Sequence, residues 1–552
     1  MKSQLPVVSL FRPKSVSLVV IAYFGLLTAL MVRMPLWLDE VLQLLGTSSP
    51  DPRQAISWSA QNAGGVPLGY LVQWAFLRCL GDSPFAARLP SAVAALLSAL
   101  LLLRICREIA LPRPSIALIL FLILPLPLRY AVEARPYSLA LLFTLCATEA
   151  VLHLRRQPQF LYFAVYLLSA IAALYTQPYS GFLLAAHVLW LLREDRRLAL
   201  RVSAVLAVSL AAFAPWFLHA RPLWAGAILT SGIRFHLEPA TFGMTLREIS
   251  GGGYAVSIPL ITLAVYGAWR GNLTPSTKWM LVCAALLPPV CVLAADAWFG
   301  YFFAIRQLIF ILPAVAMLSA EGARLLIAQH HRLGTAVLAG LLLAATAHSY
   351  RHIRTKGENW ALAASVLQLA TGSQACAVVA PQSQLSLYTH FQPALRQRTC
   401  PADLTSHSVV IAATTPYTTP TEARELWQQL YSAGFESSYR THAGGTSIYV
   451  LRRQTPDEQS RWPAVRGPLT DKSGPFTAPL RTLRGIHRIL TSEANHVSQN
   501  LAVPHPLPRH PHHSGFSAVN GQCRHDSRVA PGSLPTGGRG GESGDLQSYH
   551  RL

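Results

Sequence analysis

Asp39 and Glu40 close the segment Trp37-Leu38-Asp39-Glu40, directly after the first long apolar run of the chain. Where a membrane helix meets water, a carboxylate stays charged at little cost and can accept a proton from a hydroxyl held at the surface. Adjacent residues on a helix point about 100° apart, so the two carboxylates cannot address one substrate atom. One of them then acts as a base and the other is structural, against the plainer reading of a solvated helix end. Two further short segments carry polar side chains beside apolar runs, Glu133-Ala134-Arg135-Pro136-Tyr137 and Tyr175-Thr176-Gln177-Pro178-Tyr179. Glu133 and Arg135 suit a site or an ion pair with each other. Arg306 sits just inside the end of a later apolar run, where a guanidinium either snorkels to headgroups or binds phosphate through its planar donor fork. His219, Arg221 and Arg234 are further candidates for phosphate or acceptor binding, with plain surface exposure as the default.

The elements that must position these residues are membrane helices. Of the 552 residues, 52% are hydrophobic and only 13% charged, and the mean hydropathy is +0.34. A soluble domain carries about twice that charged fraction. About eleven apolar runs, from 15–33 to 333–349, approach the roughly 20 residues needed to cross a bilayer, and no strand-like alternation suggests a barrel. The fold expected is therefore mainly α, a polytopic membrane protein with a long first outer loop followed by a small α/β domain. The first run follows Lys2, Arg12 and Lys14 and is not followed by a small-x-small cleavage site, so it reads as a signal anchor. The net charge of +21 would suit nucleic acid in a soluble chain. Here it falls in short loops and a basic tail, so topology explains it and no nucleic-acid partner is expected.

Basic residues cluster in alternate loops, at Arg104, Arg107 and Arg113, at Arg155 and Arg156, at Arg193 to Arg201, and at Arg324 and Arg332. The positive-inside rule makes these loops cytoplasmic. The alternation fails if 66–80 is a span, so residues 35–85 read as one outer loop with 66–80 lying along the membrane surface. Asp39, Glu133, Tyr175, the loop 219–253 and Arg306 then share the outer face. Three regions follow: 1–350 in the membrane, 351–454 as a small extracytoplasmic α/β domain, and 455–552 as a disordered basic tail rich in Pro, His and Gly. The α/β pattern is a helix at 360–370, strands at 375–380, 409–413 and 446–451, and a helix at 421–433. Five of the eight cysteines lie in or beside apolar segments, whereas Cys376 and Cys400 fall in the small domain and can pair if it lies outside the cytoplasm. The cluster His505 to His513 reads as a solvated proline-rich tail, with metal binding as the alternative.

In ordered combination these segments resemble the GT-C superfamily of membrane glycosyltransferases, closest to its bacterial protein O-mannosyltransferase, aminoarabinose transferase and lipopolysaccharide glycosyltransferase branch. Asp39-Glu40 resembles the acidic motif opening the family's first outer loop, and Arg88-Leu89-Pro90-Ser91 the start of its second span. Glu133 to Leu139 is similar to its Arg-Pro-Tyr motif, and Arg306 followed by Pro313 to its late arginine. The resemblance covers roughly residues 15–350. Gly65-Val66-Pro67 stands where many relatives have His-Pro-Pro, and Tyr175-Thr176-Gln177 where they have Tyr-Thr-His, which leaves fewer groups for a metal.

The resemblance implies a sugar carried on a polyprenyl phosphate and transferred, with inversion, to a lipid, glycan or protein acceptor. Asp39 would be the base, with Glu40 or Glu133 orienting the acceptor or a bound ion. Arg306 and Arg135 would hold the phosphate, and Tyr137, Tyr175, Gln177 and His219 would line the substrate site. No cofactor is certain, and a divalent metal stays open. The location implied is a bacterial plasma membrane with an extracytoplasmic site. The alternative is a transporter or flippase, whose ionisable residues belong near the bilayer midplane. A silent scaffold whose outer domain binds a partner is a third reading.

Overall fold

The computed structural model describes residues 13–453 except 63, 232–238, 300–303, 356, 373–374, 402–403 and 405–406. The expected tail, Arg234 and residues 301–303 lie outside the described residues. Helix α1 (Pro13–Arg33) ends at an 85° bend into α2 (Leu38–Thr47). Helices α3 (Pro52–Gln61) and α4 (Pro67–Leu80) precede the long α5 (Pro84–Glu108). Each of these three opens on a proline at its first turn, where the missing amide costs nothing and the fixed φ suits a helix start. The expected outer loop, 35–85, thus holds three helices, α2, α3 and α4, and the helix expected at 66–80 is α4.

The run at 115–130 is broken by a 65° bend into α6 (Pro114–Ile123) and α7 (Pro125–Ala131), because Pro125 has no amide to continue the ladder. There follow α8 (Tyr137–Arg156), α9 (Phe160–Leu174), α10 (Ser180–Glu194), α11 (Arg196–Ser231) and α12 (Pro239–Glu248). Helices α13 (Tyr254–Arg270) and α14 (Pro275–Phe299), a 3-10 turn at Ile305–Ile311, α15 (Leu312–Gln329) and α16 (His331–Thr355) complete the helical part. Among the described residues six helices are long and apolar enough to cross a membrane, or up to eight if each bent pair is one span. The other expected spans, α9, α10 and α13, have 15, 15 and 17 residues. Helix α11 extends to Ser231 with Pro215 and Pro222 inside it, so His219 and Arg221 are helical residues rather than members of a long loop. Its 36 residues span about 54 Å, more than the roughly 30 Å hydrocarbon core.

The crossing of α13 and α15 is made close by small residues. A Cβ on Gly267 of α13 would stand 2.0 Å from the Leu318 carbonyl oxygen, and one on Gly322 of α15 would stand 2.0 Å from that of Leu263. The Ser319 hydroxyl donates across the same crossing to the Leu260 carbonyl at 2.8 Å. Glycine permits this backbone approach, and packing with interhelical hydrogen bonds is what holds helices together in lipid. Gly322→Val must therefore part the helices. It is expected to lower the midpoint of unfolding and the yield of folded protein by overpacking worth about 1–3 kcal/mol or more, read by thermal unfolding in detergent.

The remaining chain forms α17 (Trp360–Thr371), β1 (Cys376–Ala380), α18 (Leu385–Phe391), β2 (Val409–Thr414), α19 (Pro420–Ser432), β3 (Phe435–Ala443) and β4 (Thr446–Arg453). The sheet order is β1-β2-β4-β3, with β1 parallel to β2 and the other pairs antiparallel. Strand β3 was not expected, because the polar run Glu436 to His442 hides an edge strand. Gly444 and Gly445, both at positive φ, make the two-residue turn that joins β3 to β4. Cys376 and Cys400 are disulfide-bonded. One face of the sheet packs on its own helix α19 through Val410, Leu426, Leu430 and Phe435, while Trp360, Leu367, Tyr388 and Ile411 share a second cluster with Leu36, Leu38, Val41 and Leu44 around α2.

Candidate active site

The bend between α1 and α2 creates the site. A helix leaves its last carbonyls without intrahelical partners, and here Arg88, in the first turns of α5, supplies them. Its Nη1 donates to the carbonyls of Met31 and Met34 at 2.9 and 2.6 Å, and its Nη2 to that of Pro35 at 2.9 Å. The same guanidinium grips Glu40 with two bonds, 2.7 Å from Nε and 2.8 Å from Nη2. Glu40 also accepts from the Ala134 amide at 2.8 Å, and both charged side chains are 0% exposed. This burial suits a structural part for Glu40 in the acidic pair. Both of its oxygens are engaged in this clasp, by Arg88 and by the Ala134 amide.

Asp39, on the next position of α2, faces outward from this clasp. Its Oδ2 lies 3.4 Å from Arg306 Nη2 and 3.8 Å from Arg135 Nη2, with side-chain exposures of 22%, 29% and 18% for Asp39, Arg306 and Arg135. Arg135 Nη1 also approaches the Asp39 carbonyl at 3.4 Å, and Arg306 Nε donates to the Tyr137 hydroxyl at 3.0 Å. The magnitudes separate the two ion-pair systems. Charge-assisted hydrogen bonds run at about 2.7–2.9 Å, so Arg88–Glu40 is a closed pair and the Asp39 contacts are loose. Loose, part-exposed donors are free to turn to an incoming anion. Burial works against the charge of Arg135, but Asp39 first, with Tyr137 and Tyr70, outweighs it and holds the guanidinium pKa above its ordinary value.

The supporting elements follow from close packing. A Cβ on Gly69 of α4 would lie 2.5 Å from Pro136 Cβ, so α4 rests against the segment carrying Arg135. This places Tyr70 under the site, where burial pushes its hydroxyl up to about 12. The Asn62 amide donates to that hydroxyl at 2.7 Å. Glu133 is buried and accepts from Arg129 Nε at 3.0 Å. Of the two readings of Glu133 and Arg135, an ion pair with each other is not formed: Glu133 pairs with Arg129, four residues before it at the end of α7, and Arg135 lies beside Asp39. Arg129 also stacks over Trp37 with its guanidinium carbon 5.2 Å from the ring centre.

The other expected site residues are not joined to Asp39. The Tyr175 hydroxyl donates to the Ala212 carbonyl at 2.9 Å, and its own carbonyl accepts from Leu68 at 3.1 Å, so Tyr175 supports α4 and α11. Gln177 is buried at the turn between α9 and α10. His219 is exposed on α11, tilted against Trp216 at 5.9 Å between ring centres. Sequence reasoning missed Arg88 as the partner of Glu40, although its Arg-Leu-Pro-Ser context was legible, and it missed Tyr70. Metal ligation at Asp39 does not fit the groups present: guanidiniums crowd its Oδ2, and among the described residues no three or more of His, Cys, Asp and Glu are gathered to hold an ion.

Residues 64–219 match the family model described as dolichyl-phosphate-mannose-protein mannosyltransferase. That segment contains Arg88 and the Glu133 to Tyr137 motif. No curated protein matches the chain significantly. Among solved structures, ArnT from Cupriavidus metallidurans bound to undecaprenyl phosphate aligns with a TM-score of 0.50 at 14% identity, covering 80% of this chain and 98% of that one. The same protein in its apo state gives 0.49 at 13% identity, covering 79% and 98%. The oligosaccharyltransferase AglB from Archaeoglobus fulgidus, in complex with an inhibitory peptide and a dolichol-phosphate, gives 0.44 at 10%, covering 78% and 74%. Residues 64–219 thus match that mannosyltransferase family model, and the chain as a whole shares the fold of ArnT.

Proposed function

We propose that the chain moves a sugar from a polyprenyl-phosphate donor to an extracytoplasmic acceptor by a single inverting displacement. The observation that carries this reading is Asp39 held loosely between Arg135 and Arg306 above the closed Arg88–Glu40 clasp. A transferase of this kind needs a base beside cations, and both are at one helix start. The acceptor hydroxyl attacks the anomeric carbon opposite the phosphate. Its proton passes to the Asp39 carboxylate while the carbon–phosphate-oxygen bond breaks and the electron pair leaves on the polyprenyl phosphate. Arg306 and Arg135 turn from Asp39 to that phosphate and stabilise the developing charge. Phosphate is already a good leaving group, so no separate acid is required. Undecaprenyl phosphate bound in a structure of the same fold supports a lipid-phosphate donor.

The orientation rests on two supports. The basic loops gather at the bundle end opposite Asp39, where Arg104 pairs with Glu149 and Arg156 with Glu108, as a cytoplasmic face requires. The Cys376–Cys400 disulfide suits an oxidising compartment for the small domain, which packs on the Asp39 side. A transporter is disfavoured because the interacting ionisable groups at Asp39 stand at helix ends rather than at mid-span.

The phosphate role is tested by titrating undecaprenyl phosphate into purified full-length protein. Arg306→Ala is expected to weaken binding about 10- to 100-fold, the effect of losing a hydrogen bond to a charged group, and Arg306→Lys to recover part of it. Unchanged affinity in Arg306→Ala and in Arg135→Ala removes the arginines from the donor site.

A further inference from the structure

The small sheet domain reaches the proposed site through one carboxylate. Trp37 stands at the N-cap position of α2 and has no side-chain oxygen to cap the helix. The first amide of α2, Leu38 N–H, is instead taken by Glu358 Oε2 at 2.9 Å, a residue 320 positions away. The same carboxylate accepts from Trp360 Nε1 at 3.2 Å and from the Tyr417 hydroxyl at 2.7 Å. A carboxylate at this place satisfies an orphan donor and lies at the favourable end of the helix dipole. Glu358 is itself held from behind. Asn359 Oδ1 caps α17 by accepting from Leu362 at 3.0 Å, and the Asn359 amide donates to the Gly444 carbonyl at 3.0 Å. A Cβ on Gly444 would stand 2.1 Å from the Asn359 carbonyl oxygen, so the β3–β4 turn is pressed against this segment.

The residue after Leu38 is Asp39, so the cap acts on the backbone that carries the proposed base. Tyr417 stands close enough for its hydroxyl to feel both Asp39 and Arg306, although burial and Glu358 dominate and push its pKa above the ordinary value. Leu36, Leu38 and Val41 also share one buried apolar cluster with Trp360 and Leu367, which joins the sheet domain to α2.

We infer that Glu358 is a positioning residue for transfer, the group through which the sheet domain fixes the start of α2 and with it the direction of Asp39. This rests on reading Asp39 as the base. It assigns the sheet domain a part in the chemistry, and it makes the domain's docking a condition for turnover rather than for donor binding.

The test uses the full chain restored to a deletion strain, with envelope glycans measured by mass spectrometry, and the purified protein for undecaprenyl phosphate binding and amide hydrogen exchange. Glu358→Ala is expected to raise exchange across residues 38–41 and to lower transfer about tenfold to hundredfold, the range for a misplaced reacting group. Its undecaprenyl phosphate affinity should stay within about twofold, since Arg135 and Arg306 are untouched. Glu358→Gln keeps an acceptor oxygen for Leu38 and is expected to retain both exchange protection and most of the transfer. Wild-type transfer in Glu358→Ala, with Asp39→Asn inactive, overturns the inference and leaves the base intact. Activity in Asp39→Asn overturns the base itself. If Glu358→Ala also loosens the strands, Glu358→Gln decides: retained transfer upholds positioning, and lost transfer with α2 protected overturns it in favour of the charge.

Discussion

Asp39→Asn protein is expected to insert, fold and bind undecaprenyl phosphate at least as tightly as the wild type, yet transfer sugar at least 100-fold more slowly. The amide keeps the size of the side chain and an oxygen for Arg135, so the loose contacts at 3.4 and 3.8 Å have little to lose. What disappears is the proton acceptor, and a general base supplies about 10²–10⁴ in rate. Removing the negative charge also frees Arg306 and Arg135 for the lipid phosphate, which is why binding should not fall. The split between binding and turnover is the signature. Parallel loss of both would make Asp39 a structural anchor for the arginines.

The neighbouring residue should fail in the opposite way. Arg88→Met leaves Glu40 charged and fully buried, and strips donors from the carbonyls of Met31, Met34 and Pro35. Breaking a buried pair from one side costs about 3–5 kcal/mol, enough to unfold a marginally stable protein. Thermal unfolding and the abundance of folded protein in membranes are the readouts, and both should fall together. The double variant Glu40→Gln with Arg88→Met relieves the buried charge but not the orphaned carbonyls, so it should recover only part of the loss. Full recovery would show that Arg88 serves Glu40 alone and not the bend. Asp39 and Glu40, adjacent in sequence, are thus expected to be separable, one governing rate and the other folding.

Much of this arrangement was legible in the chain. Loop parity brought residues 39, 133–137 and 306 to one face, and Arg135, Tyr137 and Arg306 do meet there. The 100° offset along a helix sets the two carboxylates apart, and Glu40 does turn into the clasp while Asp39 faces Arg135 and Arg306. Tyr175, Gln177 and His219 shared that face without joining Asp39, because parity fixes the side of the bundle but not the position around it. Which partner each charge takes depends on packing between distant segments. Arg88 and Glu40 are 48 residues apart and Glu358 and Leu38 are 320 apart, so no local pattern marks either pair. Glu133 pairs with Arg129 across the end of α7, whereas Arg135 lies 3.8 Å from Asp39 on α2. The polar strand β3 escaped notice because its exposed face outweighs its apolar positions.

The most direct test of the account compares envelope glycans and glycoproteins by mass spectrometry in a strain lacking this chain, and in the same strain restored with the wild type or with Asp39→Asn. One sugar modification should be missing in the deletion strain, return with the wild type, and stay missing with Asp39→Asn although that protein is present in the membrane. Glycans and glycoproteins identical in all three strains, or restored by Asp39→Asn, would contradict transfer at this site.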